Sequence, residues 1–448
     1  MIKRKKYGKK IMSIILAASM TISLAACGGK DNADSKQPAQ QESMNTEINT
    51  EINTDTSAGA EADTQQPASK YTITGENDNK ELTMARQPEA SYWFPAQLLA
   101  WNPDEDEDLI FNVSTVPLAE RADLALLEPV NATQNKDTKV MSISIMNGST
   151  SGNAPHGLNK AEANTFTYWQ YVDMLVYWGG SSGEGLIVAP SPDVVDAGHK
   201  NGVKVIGTVF MPQAAHGGKI EWLGDLLQKR EDGSYPVVDK LIEVAEIYGF
   251  DGWFINQETE GEALTKDHAD RMQEFLAYFK QQAPDLELIY YDSMTVDGEM
   301  DWQNALTEKN APYIKDAEGN AVADSMFLNF WWTTDTLAPE ELLKTSAELA
   351  EEKQIDPYDL YAGVDVQSNG YDTPIKWNLF EKPDGGTYTS LGLYCPSWTY
   401  FSTDMIQEFW KRENKLWVNA KGDPSAEIAP ESDTDWRGVS TYVVERTA

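Results

Sequence analysis

The chain has 448 residues, 41% of them hydrophobic, with 14 Trp and 19 Tyr; that much apolar material builds a large core and excludes a disordered protein. Its 71 acidic residues against 36 basic ones give a formal charge of -35. A surface that acidic repels phosphate backbones and offers no basic stripe, so nucleic acid is not an expected partner.

The first 26 residues join the basic stretch "MIKRKKYGKK" to the apolar run "IMSIILAASMTISLAA", which is too short and wrongly flanked for a stable spanning helix and reads as a signal peptide. The small residues ahead of Cys27 in "LAAC" resemble the bacterial lipoprotein cleavage box. That resemblance implies lipidation of Cys27 and an exported protein at the bacterial cell surface, held to the membrane only by its lipid or released. Residues 27–69 are acidic, polar and nearly free of aromatics, with the short repeat "TEINTEINT". Such a segment cannot bury enough apolar area to offset its ordering entropy, so a disordered tether is expected.

From residue 70 the composition turns globular. After the lead-in "SYWFPAQLLAWNPDEDEDLIFNVSTVPLAER", apolar strand-like runs fall at 139–148, 172–180, 203–211, 251–259, 286–294, 325–332, 360–367 and 391–398. Amphipathic helical stretches lie between and after them: "SPDVVDAGHKNG", "VVDKLIEVAEIYG", "KDHADRMQEFLAYFKQQ", "APEELLKTSAELAEEK" and "STDMIQEFWKREN". Eight buried strands alternating with helices over about 270 residues match an α/β (β/α)8 TIM barrel in count and size, expected over residues 70–430. The competing doubly wound sheet needs a Gly-rich phosphate loop after a strand, and none is present.

Barrels carry their chemistry where strands end. The ends here offer Asn147, Trp178, Met211, Asn256 with Glu258, Tyr291 with Asp292, Asn329 with Trp331 and Trp332, Asp365 with Gln367, and Trp398. Aromatic faces stack on pyranose rings while amides and carboxylates bond hydroxyls, so the cluster points to a carbohydrate cleft, with His216 ahead of "GG" as a further sugar contact. In "GFDGWFINQETEG" strand alternation puts Asn256 and Glu258 on one face and Gln257 on the other, while Asp251 is read as structural. A common retaining glycosidase sets two carboxylates about 5–5.5 Å apart, one as nucleophile. Here the first position is an amide, which suits the alternative in which the substrate's own 2-acetamido oxygen attacks C1. Glu258 would then be the lone acid and base, its pKa raised by burial. Two other readings remain open: Asp292 as a protein nucleophile with Glu258 as acid, and a glycan-binding protein without catalysis. The histidines at 156, 199, 216 and 268 form no H-E-x-x-H, and after Cys27 only Cys395 remains, read as a buried thiol, so no metal is expected.

The stretches "SYWFPAQLLAW", "STVPLAER", "HKNGVKVIGTVF", "GFDGWFINQET", "YYDSM", "WQNALTEKN" and "SLGLYCPSWT" resemble glycoside hydrolase family 85, over about residues 85–448. These are endo-β-N-acetylglucosaminidases that cut the chitobiose core of N-glycans. The resemblance implies that Asn256 orients the acetamido group, that Glu258 is the general acid/base, and that Tyr291 contacts the acetamide. Trp302 and the Trp331/Trp332 pair match positions lining the cleft, beside the substrate-binding candidates Asp292, Asn329, Asp365, Trp398, Trp178 and His216. It further implies retaining hydrolysis through an oxazolinium, N-glycoproteins or free N-glycans as substrates, no cofactor and a monomer. Because the family continues into β-sandwich domains, residues 431–448 are expected to be the possible start of one.

Overall fold

The computed structural model describes residues 87–147, 149–157, 166–367, 373–426 and 432–448; the expected signal peptide, Cys27 and the tether lie outside them. Ten strands are present: β1 (Tyr92–Trp93), β2 (Val140–Ile145), β3 (Met174–Trp178), β4 (Ile187–Val188), β5 (Lys204–Met211), β6 (Gly252–Gln257), β7 (Glu287–Tyr291), β8 (Ser325–Leu328), β9 (Leu360–Asp365) and β10 (Ser390–Tyr394). All but β1 and β4 pair in parallel with the next in order, and β10 closes the ring onto β2. This is the eight-stranded barrel the sequence predicts, with all eight strands at their expected places. The two additional strands have two residues each, too short to carry any periodicity: β4 pairs antiparallel with β5, and β1 pairs antiparallel with β4.

Alternation along the strands builds two layers. Met141, Ile143, Val176, Ile206, Phe254, Ile289, Tyr291, Phe327, Tyr361 and Tyr394 fill the barrel interior, while their neighbours Leu175, Val205, Trp253, Leu288 and Met326 face outward into the larger core under the helices. Phe327 fits because Gly392 faces it; a Cβ there would stand 2.3 Å from the ring. The helix Lys266–Gln282 opens on a capping box made by Thr265 and His268, and Pro236–Tyr248 stops at Gly249, whose φ of 77° suits glycine.

The N-terminal end of the barrel repeats one device. Asp173, Asp251 and Asp324 immediately precede β3, β6 and β8, and each accepts a backbone N–H from the start of the neighbouring strand: Val140 at 2.8 Å, Val205 at 2.7 Å and Leu288 at 2.7 Å. Each has a cation: Arg446 bidentate with Arg121 beside it, His199 at 2.9 Å, and Lys280 at 2.7 Å. Both His199 nitrogens meet acceptors, Asp251 and the Val116 carbonyl; burial alone would lower its pKa, but these bonds outweigh that and raise it. Asp251 is structural, as its position ahead of the strand suggests.

Residues 432–448, expected as the possible start of a further domain, pack onto the outer core. Trp436, Val439, Tyr442 and Val443 are buried in the outer core, Tyr442 stacks on Trp377 with ring centres 5.0 Å apart, and Arg446 reaches Asp173. The segment packs against the barrel, its aromatic residues Trp436 and Tyr442 lying against Trp377.

Candidate active site

The sheet ends that matter are those of β6, β7 and β8. On β6, Phe254 is the last apolar residue of the inner row, and Asn256 and Glu258 continue that row at the barrel mouth. The Glu258 backbone N–H donates to the Met211 carbonyl at 2.8 Å, extending the β5–β6 ladder one step past the strand and holding the side chain inward. Asn256 is 3% exposed and Glu258 fully buried. Burial pushes the Glu258 carboxyl up to about 8, while the Trp302 indole N–H, donating to Oε1 at 3.2 Å, and Gln213 work against that rise. Each residue of this pair has one side-chain atom buried without a hydrogen-bond partner: Glu258 Oε2 and Asn256 Oδ1. An orphaned acceptor beside a carboxyl poised near neutrality is an arrangement for receiving a ligand, since leaving either atom unmet costs stability.

Tyr291 ends the inner row of β7 and donates its hydroxyl to Asn329 Oδ1 at 2.7 Å. Burial first, then Glu258 and Asp292, push its phenol far above the usual range, so it keeps its proton. Trp178, Trp302 and Trp398 pack on the same interior cluster, and Trp331 stands 6.4 Å from Trp302. Asp365 ends β9 on this wall, where burial lifts its carboxyl to about 6.

Three candidates fall elsewhere. Trp332 is in the outer core, 1% exposed, its indole donating to the Gly363 carbonyl at 2.8 Å. The strand expected over 325–332 stops at Leu328 and the chain enters a 3-10 turn, Phe330–Thr333; three residues per turn point successive tryptophans in different directions, so Trp331 meets Trp302 and Trp332 does not. Asp292 faces away from the interior row: it accepts the backbone N–H groups of Gln303 (3.1 Å), Asn304 (2.6 Å) and Asn329 (3.4 Å) and the Asn310 amide (2.9 Å), clamping the loop that carries Trp302. His216 sits on the turn Ala214–His216 after β5, its Nε2 buried without a partner and its carbonyl accepting from Ser182, and no described hydrogen bond joins it to Asn256 or Glu258. Cys395 is buried as expected, at φ 54°. Gln213 and Asn304 were not among the candidates; both lie in loops past strand ends, where alternation no longer predicts direction.

A closed barrel with a buried acid and amide ending one strand, ringed by tryptophans, defines the class: a barrel of the glycoside-hydrolase kind. The chain belongs to glycosyl hydrolase family 85, whose model matches residues 147–448. Among curated proteins it is 28% identical over 365 residues to the cytosolic endo-beta-N-acetylglucosaminidase of Gallus gallus, covering 80% of this chain and 44% of that one. It is 29% identical over 255 residues to cytosolic endo-beta-N-acetylglucosaminidase 1 of Arabidopsis thaliana, covering 56% and 34%. The crystal structure of the glycoside hydrolase domain of Endo-D from Streptococcus pneumoniae R6 superposes with a TM-score of 0.71 at 31% identity, covering 81% of this chain and 55% of that one. The chain thus spans less than half the length of the curated relatives it matches. Those relatives, from animals and plants alike, are named cytosolic, which overturns the expectation of an exported, surface-held protein. That expectation rested on residues 1–27 alone, which lie outside the described residues.

Proposed function

We propose that this chain is an endo-β-N-acetylglucosaminidase that hydrolyses the GlcNAcβ1-4GlcNAc bond of N-linked glycans with retention of configuration, the substrate's acetamido group serving as nucleophile. The observation that carries the reading is the pair of buried, unpartnered oxygens, Asn256 Oδ1 and Glu258 Oε2, on one face of one strand end. Glu258, protonated near neutral pH because burial lifts it to about 8, donates its proton to the glycosidic oxygen as the acetamido oxygen attacks C1. Positive charge then grows on the acetamido nitrogen, and Asn256 Oδ1 accepts that N–H in a site that excludes water, where such a bond is strongest. The ionised Glu258, held by Trp302, next takes a proton from the water that opens the oxazolinium at C1. Two inversions give retention.

Asp292 is a poor nucleophile in this cleft, since its oxygens already accept from the Trp302 loop and from the Asn329 N–H just past β8. Trp178, Trp302, Trp331 and Trp398 are the stacking platforms, with Asp365 a hydroxyl contact. A monomer is proposed, since Asn256, Glu258 and Tyr291 all come from one chain.

The test is digestion of defined N-glycoproteins, reading peptide masses for one retained GlcNAc. Asn256→Ala is expected to lose about 1,000-fold in glycan cleavage yet still turn over a preformed sugar oxazoline, while Glu258→Gln loses both. Full cleavage by Asn256→Ala, or labelling of Asp292 by a fluorosugar trap, would sink substrate assistance. Tight glycan binding without release by the wild-type protein would leave a binding module instead.

A further inference from the structure

Asn304 lies on the loop after Trp302, 3% exposed and in the left-handed region at φ 58°, and it ties together four parts of the cleft. Its backbone N–H donates to Asp292 Oδ2 at 2.6 Å. Its side-chain Nδ2 donates to the Trp302 carbonyl at 3.0 Å, and its Oδ1 accepts the Trp331 backbone N–H at 3.0 Å. A carbonyl can only accept and a backbone N–H can only donate, so this amide has one permissible orientation. The same Oδ1 receives Asn329 Nδ2 at 2.8 Å, which turns Asn329 Oδ1 toward Tyr291, 2.7 Å away. An amide oxygen only accepts; the phenol must therefore donate to it. Hydrogen-bond direction is passed from two main-chain groups, through two amides, to one hydroxyl.

We propose that Asn304 is a positioning residue that sets the polarity of Tyr291, so that the phenol oxygen meets the substrate with a lone pair and not with its proton. The proposal rests on the substrate-assisted reading and deepens it. A donor aimed at the acetamido oxygen would occupy the electron pair that has to attack C1 and slow that attack. An acceptor next to Asn256 Oδ1 instead favours the acetamido N–H and the positive charge that grows there. Without the Asn304 side chain, Asn329 is free to turn its amide over and Tyr291 to reverse. Trp302 and Trp331, held on either side of the same residue, also lose their fixed spacing.

The experiment is a double-mutant cycle between residues 304 and 291 in the full chain, read as kcat and KM for release of glycan from an N-glycopeptide. Asn304→Gly keeps the backbone conformation open while deleting the side chain. It is expected to lower kcat about 10-fold or more when Tyr291 is present, to change kcat less than about 2-fold in a Tyr291→Phe background, and to raise KM in both. Asn304→Asp retains an acceptor for Asn329 and Trp331 and should recover most of the kcat that Asn304→Gly loses. If Asn304→Gly does not fold, Asn304→Ser takes its place in the cycle with the same expectations. Equal kcat losses with and without the Tyr291 hydroxyl, an unchanged kcat in a folded variant, or an Asp variant no better than Gly would each overturn the proposal. These outcomes are separate from failure of the underlying reading, which is registered by a wild-type protein that releases no glycan or by a fully active Asn256→Ala.

Discussion

The two ends of the barrel handle carboxyl groups in opposite ways. At the N-terminal end Asp173, Asp251 and Asp324 each have a cation and a backbone N–H, so their acceptors are met. At the C-terminal end Glu258 has one oxygen bonded and one bare, Asn256 presents a bare carbonyl, and no described cation contacts either. The difference teaches that the fold's stability and its chemistry are built from the same residue types, separated by whether the partners come from the chain or from a ligand. A paired carboxylate locks neighbouring strands; an unpaired one is destabilising until something binds.

Removing a partner at the stable end should give the largest effect on folding and none on the chemistry. Asp173→Ala leaves Arg446, whose side chain is 4% exposed, without its carboxylate, and is expected to cost about 3–5 kcal/mol in urea unfolding with an unchanged pH–rate profile. A shifted profile would break the division between the two ends.

The reverse holds at the catalytic end. The folded Glu258 keeps its proton up to about pH 8 against an ordinary value of 4.5, so the native state binds more protons than the unfolded chain in that interval, and stability falls as pH rises through it. Glu258→Gln, which cannot ionise, should therefore be more stable than wild type at pH 8 by about 4 kcal/mol and indistinguishable from it at pH 4, by thermal melts at both pH values. A variant less stable at pH 8 would place Glu258 among the locking groups.

The smallest change sharpens the role of the loop. The Trp302 indole favours the ionised carboxylate, so Trp302→Phe should move the basic limb of the pH–rate profile upward by about half a unit, with a few-fold loss in kcat. A downward shift would mean that the indole acts on the protonated form.

Much of the barrel was legible in the residue order because its strands are apolar runs whose length and spacing are local properties. Asn256 and Glu258 were legible for the same reason: a polar pair at the end of an apolar strand keeps the strand's phase, and β6 holds that phase through Gln257 and one ladder bond beyond. Where the chain leaves extended geometry, phase is lost. Trp331 and Trp332 could not be told apart until the 3-10 turn after β8 sent one to the cleft and the other to Gly363. Asp292 reads as a strand-end carboxylate, yet its partners come from a loop 11 to 18 residues away and from Asn329, just past β8.

By itself the amino-acid sequence determined the eight-stranded architecture and the face shared by Asn256 and Glu258, since both follow from two-residue alternation along a strand. Only the tertiary structure decided that Glu258 sits near neutrality, that Asp292 serves a loop, and that Asn304 orients a phenol through a second amide. Burial and hydrogen-bond direction are set by groups distant in the chain, and no local pattern encodes them.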